Sequence, residues 1–135
     1  MTMLRTDVVT RVSRATRVAI ATDLRRLVIT GDVLDAATDL EVYGYDASFL
    51  TQLKPVVPDV AVIARSEADV VAVMRYADEH RIPVTPRGAA SGCGGGCVAL
   101  RGGIVLAMNA MDRVIEIDGP NGQAERSAHP ARPIR

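Results

Sequence analysis

Cysteine is scarce in this chain, with Cys93 and Cys97 the whole complement. Both lie in one glycine-rich stretch, which argues against a disulfide framework and suits a reducing compartment. An excess of one charge is lacking too. Sixteen Lys and Arg balance sixteen Asp and Glu, so there is no electrostatic footprint for nucleic acid. The longest apolar patches, Val18–Ala21 and Ile104–Met108, fall far below the roughly 20 residues of a membrane helix. No integral membrane segment is therefore predicted. No signal-peptide pattern is visible, and a cytoplasmic location is the expectation. Arg5, Arg11, Arg14 and Arg17 stand near the start with one acid, Asp7. That faintly resembles an organelle transit peptide, but the pattern runs on without a cleavage-like break and reads better as a soluble amphipathic helix.

What is present is enough for a globular domain. The 135 residues are 48% hydrophobic and 24% charged, which is a folded composition of a length that can bury a core. From about Leu4 to Ile29, apolar residues recur at helical spacing through Val8, Val12, Ala15, Ala19, Leu24 and Val28. Gly31 is the expected stop, as a left-handed glycine beyond the helix end. Residues 32–46 read as a polar connection with turns, their Tyr43 and Tyr45 as half-buried packing. The apolar, β-branched run from Pro55 to Ala64 predicts a buried strand. Ser66 is a plausible N-cap for a helix running to about His80, with Val70, Val73, Met74 and Ala77 as its buried stripe. His80 near that helix end suits the macrodipole and reads as a surface residue rather than a ligand. Residues 82–85 predict a second strand, 103–108 a third, and 114–118 an alternating fourth. Asp118-Gly-Pro-Asn-Gly122 is a turn signal. The order of helix, strand, helix, strand, glycine loop and strands predicts an α+β fold. Three segments are expected: a helical one over 1–30, the main body over 31–124, and an irregular tail over 125–135. The tail shows neither period, no returning strand is legible after the turn, and either a truncated or frame-shifted end or a disordered natural tail is expected there.

The stretch from Pro83 to Cys97 organises the rest. From Gly88 to Gly96 nothing is larger than Cys. So many glycines are tolerated mainly where the backbone takes φ > 0 or comes very close to something. A loop of this kind can converge its N–H groups on an anion such as phosphate, with Arg87 as a fixed charge at its mouth. A mobile surface loop remains the alternative on composition alone. A Walker A loop is excluded because no lysine is near; the chain's one lysine is Lys54. A dinucleotide fingerprint starts at Gly92-Cys-Gly94, but Cys97 stands where the third glycine belongs and a strand, not a helix, follows. Two cysteines do not make a four-ligand zinc site, and no metal site is expected. No carboxylate pair, Ser/His/Asp set or base beside a cysteine stands out, so no catalytic residue is assigned.

The combination resembles the N-terminal FAD-binding domain of the vanillyl-alcohol-oxidase-type (PCMH-type) flavoproteins, in the branch that holds the flavin subunit of glycolate oxidase and the D-lactate dehydrogenases. The resembling residues are Gly31-Asp-Val, Tyr45-Asp46-Ala-Ser48, the run from Pro58 to Val71, and the run from Ile82 to Gly96. The resemblance covers about residues 31–123. It implies that the loop backbone holds the FAD diphosphate through Pro86, Arg87, Gly88, Ala89, Ala90, Ser91 and Gly92, with Gly95 and Gly96 allowing close approach. Some relatives attach flavin through a histidine at the position of Ser91, so Ser91 implies non-covalent FAD. Ala90 replaces a usual glycine, and strain follows if that position needs φ > 0. Such relatives are several times longer and carry a cap region with the substrate groups. The expectation is therefore an FAD-binding portion of a 2-hydroxy-acid oxidoreductase, incomplete for catalysis alone and paired with another flavoenzyme subunit. A non-enzymatic module that self-associates through strand edges and a module for another nucleotide are the alternatives.

Overall fold

The computed structural model describes residues 13–126. The first part of the expected N-terminal helix, with Arg5 and Arg11, and the tail from residue 127 lie outside the described residues. Helix α1 spans Arg14–Leu27 and is capped by Ser13, whose side chain accepts from Thr16 N at 3.1 Å. It ends because Val28 turns extended. Gly31 is not its left-handed stop: φ is positive at Gly95, Gly102, Gly103 and Gly122 but not there. Gly31 is needed for close approach instead, since a Cβ would stand 2.3 Å from the Ile63 carbonyl oxygen.

The connection that follows is more ordered than its polarity predicts. It contains strand β1 (Asp32–Leu34), helix α2 (Ala37–Leu40), a 3-10 turn over Glu41–Tyr43 and helix α3 (Phe49–Leu53). Strand β2 (Val60–Ile63) is the buried core of the predicted run. Helix α4 (Glu67–His80) starts where expected, with Ser66 accepting from Asp69 N, and closes on a left-handed Arg81 at φ 55°. Its buried residues are Asp69, Val73, Tyr76 and Ala77. Met74 is half exposed at 49%, because the helix is rotated to put Tyr76 inward, where its hydroxyl donates to Asp23 at 3.2 Å.

Strands β3 (Val84–Arg87), β4 (Ile104–Ala107), β5 (Val114–Asp118) and β6 (Gln123–Arg126) complete the fold. The four-stranded sheet has the order β1-β2-β4-β3, with β1 antiparallel and the rest parallel. β5 and β6 form a separate antiparallel pair. The returning strand after the turn therefore exists, reaching Arg126, and takes in Glu125 from the segment read as tail. Polar Gln-Ala-Glu-Arg hides it from a hydrophobic pattern.

Alternation along β2 and β4 sorts the core into two faces, as period-2 geometry requires. Val60, Val62, Ile104 and Leu106 pack with Ile20, Ala21, Leu24, Val73 and Ala77 beneath α1 and α4. Ala61 and Val105 face the other way, onto Leu40, Ala99, Leu34, Tyr43 and Val57. That second face carries the segment 40–48 up to the end of β3, where the glycine loop begins.

Candidate functional site

The loop leaves the sheet at Arg87, whose carbonyl still accepts from Met108 N at 2.9 Å. Its side chain is not at the mouth. Arg87 is buried, and its guanidinium donates to the carbonyls of Tyr45 at 2.8 Å and Val42 at 2.9 Å. It lies over the Tyr43 ring at 5.5 Å and approaches Cys97 Sγ at 3.7 Å. The charge anticipated for a ligand anion is thus spent on stapling the loop to the segment beneath it.

Pro86 is exposed on the edge strand, Gly88 half-buried, and Ala89, Ser91, Gly92 and Gly96 exposed. Ala90 takes φ 57°, so the position where glycine is usual does adopt the left-handed backbone. Gly95 does so as well, at φ 71°. At Gly92, Gly94 and Gly96 an added Cβ would meet nothing within 4 Å. These glycines keep space open above the loop rather than relieve a clash below it.

Asp46 holds this shape, and no role was assigned to it from sequence. Its Oδ1 accepts from Ser48 N at 2.9 Å and Thr51 Oγ1 at 2.6 Å, while Oδ2 accepts from Gly95 N at 2.7 Å. The Ser48 and Thr51 hydroxyls, then the Ser48 N–H, hold its carboxyl well below the usual carboxylate range, against the effect of burial. Ala47 N donates to Gly92 O at 3.1 Å, a second tie across the same gap. The available signal was the Asp-x-Ser spacing, which favours a side chain closing on the backbone two residues on. At the far end of the loop, Asp59 Oδ2 accepts from Gly103 N at 2.7 Å.

The remaining donors decide what the loop can take. Among the described residues, no group accepts a hydrogen bond from the backbone N–H of residues 89–94. Backbone with no side chain larger than Cys, a left-handed residue in its midst and N–H groups without acceptors among the described residues make an anion nest. That donor set fits a diphosphate, whose oxygens need several donors and little side-chain bulk. A helix N-terminus plays no part, because turns over 96–101 lead directly into β4.

A mostly parallel sheet packed against helices, with this nest at the end of β3, defines a nucleotide-cofactor-binding domain. The FAD binding domain family matches residues 58–128, more than half of the chain, and the chain belongs to that family. FAD is the cofactor of that family. The chain is 39% identical over 64 residues to a D-lactate dehydrogenase of Anaerostipes hadrus, covering 47% of this chain and 14% of that one. It is 34% identical over 80 residues to the glycolate oxidase subunit GlcD of Bacillus subtilis, covering 59% and 16%. It is 30% identical over 100 residues to a D-2-hydroxyglutarate dehydrogenase of Stutzerimonas stutzeri, covering 74% and 21%. The chain thus spans about one-seventh to one-fifth of the length of these relatives.

Among solved structures, an alkyldihydroxyacetonephosphate synthase superposes with a TM-score of 0.69 at 16% identity, over 84% of this chain and 24% of that one. Physcomitrella patens BBE-like 1 gives 0.53 at 11% identity, over 77% and 21%. These likenesses establish the fold, which is the expected α+β arrangement. Among the described residues no helix is long and apolar enough to cross a membrane.

Proposed function

We propose that this chain supplies the diphosphate-holding portion of an FAD-linked oxidoreductase that acts on a 2-hydroxy acid of the glycolate or D-lactate type. The observation that carries the cofactor half is the row of N–H donors over 89–94 without acceptors among the described residues, beside open space at Gly92, Gly94 and Gly96. The substrate class rests on the names of the relatives, which include D-lactate dehydrogenase and glycolate oxidase. Bound FAD supplies the hydride-accepting chemistry. The residues of this chain bind and orient: 89–94 present backbone N–H groups to the diphosphate, Gly95 and Gly96 allow its close approach, and Asp46 and Arg87 hold the loop in shape. Ser91, a hydroxyl where a histidine would be needed for attachment, keeps the flavin non-covalent. The substrate-orienting groups belong to a further segment or subunit, of the kind that fills out the longer relatives.

The test is the visible spectrum of the full chain after incubation with FAD and desalting. A retained flavin spectrum, displaced poorly by ADP or ATP, is expected; none retained, or equal competition by ATP, defeats the FAD reading. Adding the C-terminal part of a relative with FAD and D-lactate or glycolate then tests the substrate half.

One observation favours a second reading, self-association. Val114, Ile115 and Ile117 of the hairpin are 44%, 55% and 62% exposed, and β1 and β3 are edge strands. A flavin-free oligomer on size exclusion would support it, and a yellow monomer would exclude it.

A further inference from the structure

The two thiols are not among the groups assigned to the cofactor, yet their placement in the loop is specific. Cys93 is exposed and Cys97 half-buried, and both are free thiols. The residues between them are all glycine. At Gly94 and Gly96 even an added Cβ would touch nothing within 4 Å, so there is open space beside the chain at both positions. The fixed point between the cysteines is Gly95, whose N–H is held by Asp46 Oδ2 at 2.7 Å and whose carbonyl accepts from Val98 N at 3.2 Å. Cys97 is anchored differently, with Sγ 3.7 Å from Arg87 Nη1, on the same guanidinium that binds the Val42 and Tyr45 carbonyls.

A disulfide requires Cα atoms about 4.4–6.8 Å apart and a torsion near ±90°. Residues 93 and 97 are joined through three glycines, with Gly95 the one held by hydrogen bonds, and a bridge between them curls the chain around that point. The curl changes what the loop offers. The contacts inside and beside that ring are the Gly95 N–H to Asp46 Oδ2 and Cys97 Sγ to the Arg87 guanidinium, and these are what a bridge would disturb. A ring this short and this exposed is easily reduced again, the character of labile rather than structural disulfides.

We propose that Cys93 and Cys97 form a reversible disulfide that pulls the glycine loop out of its cofactor-holding shape, making flavin capture sensitive to thiol oxidation. The oxidant is a small disulfide. One cysteine attacks oxidised glutathione, forming a mixed disulfide and releasing one glutathione thiol. The second cysteine then attacks the protein-bound sulfur and releases the other. Two protein thiols and one glutathione disulfide become one protein disulfide and two glutathione thiols, and excess reductant reverses both steps. The effect on flavin rests on the FAD reading above, whereas formation of the bridge and release of Gly95 do not.

The full chain is incubated with oxidised glutathione or with reductant, and three properties are measured. These are intact mass with free-thiol content, FAD retention after desalting, and hydrogen-exchange protection of the Gly95 amide. The expected result is loss of two hydrogens' mass and both thiols, loss of Gly95 protection, and FAD binding weaker by at least about tenfold. Reductant restores all three. Cys93→Ser forms no bridge, so its FAD retention and its Gly95 exchange are each the same with and without oxidant. Stable glutathione adducts in place of the internal bridge overturn the proposal, as does a bridge that leaves Gly95 protected. A bridge with unchanged FAD affinity refutes the control of cofactor capture. If the reduced protein holds no FAD at all, the functional reading fails separately, and mass with Gly95 exchange still decides whether the switch exists.

Discussion

Ala90 is the residue at which the loop works against its own chemistry. It carries a Cβ at φ 57°, a backbone that costs a non-glycine residue about 1–2 kcal/mol. Glycine removes that cost but adds roughly 0.5–1 kcal/mol of unfolded-state entropy to be lost on folding. Ala90 is half-buried, so deleting its methyl also forfeits part of about 0.8 kcal/mol of burial. The balance favours Ala90→Gly by roughly 0.5 kcal/mol. Gly95 offers the mirror experiment. It has φ 71°, and an added Cβ would find Thr51 Cγ2 at a comfortable 3.9 Å, so Gly95→Ala tests backbone handedness without a clash. The same terms give a loss of about 1 kcal/mol. Urea unfolding of the full chain reads both. For a slope of about 1–2 kcal/mol/M, Ala90→Gly raises the midpoint by roughly 0.3–0.5 M, and Gly95→Ala lowers it by more. A lowered midpoint for Ala90→Gly, or an unchanged one for Gly95→Ala, would refute left-handed backbone as the organising feature of the loop.

Three further perturbations probe the frame around it. Gly103→Ala would place a Cβ 2.2 Å from the Pro83 carbonyl oxygen at φ 82°, and a loss of about 3 kcal/mol or more is expected by thermal melting; a wild-type melt would show that β3 and β4 do not meet as described. Asp69 is buried, which works against its charge, but hydrogen bonds from Thr30, Arg65 and Ile29 win and bring its pKa from 3.8 to about 2. Because the folded value is depressed, its contribution is complete above about pH 4 and fades as pH falls toward about 2. Asp69→Asn, losing charge-assisted bonds worth about 1.5–3 kcal/mol in such settings, should flatten acid unfolding across that window. An unchanged acid limb would exclude Asp69 as its source. Asp46→Asn keeps one acceptor oxygen but turns an NH₂ toward the Gly95 N–H, and FAD affinity should fall on the order of tenfold. Since the Asp46 carboxyl is held below the usual range, the wild-type protein should lose no affinity to its protonation near pH 4, whereas a titration there would deny the latch.

Much of the frame was legible because periodicity reports burial. Val60, Val62, Ile104 and Leu106 are written as apolar runs because both faces of β2 and β4 are covered, and Ser66 announces α4 through a cap that needs only local geometry. β1 was missed because its three residues, Asp32–Leu34, are too short for any period and lean on Ile63, Val62 and Ala61 for their pairing. β6 was missed because its residues 123–125 are exposed, so burial writes no apolar pattern there. Tyr76 defeated the helix pattern because its burial depends on a hydroxyl partner, Asp23, far away in sequence.

The loop shows the same division at closer range. Its lack of side chains is visible in sequence, and so is the consequence that backbone must do the binding. Its shape is not, because the groups that set it are distant: Asp46 acts on Gly95, and the Val42 and Tyr45 carbonyls draw Arg87 inward. Sequence therefore placed the Arg87 charge at the mouth of the loop and gave Asp46 no role, whereas the structure turns the guanidinium inward and ties Asp46 to Gly95. Both placements follow from solvation. A guanidinium that must be buried beside a turn finds carbonyls to donate to, and a carboxylate buried beside a glycine loop finds N–H groups to accept from. The N–H groups over 89–94, which have no acceptor among the described residues, are then the part of the loop available to an anion from outside.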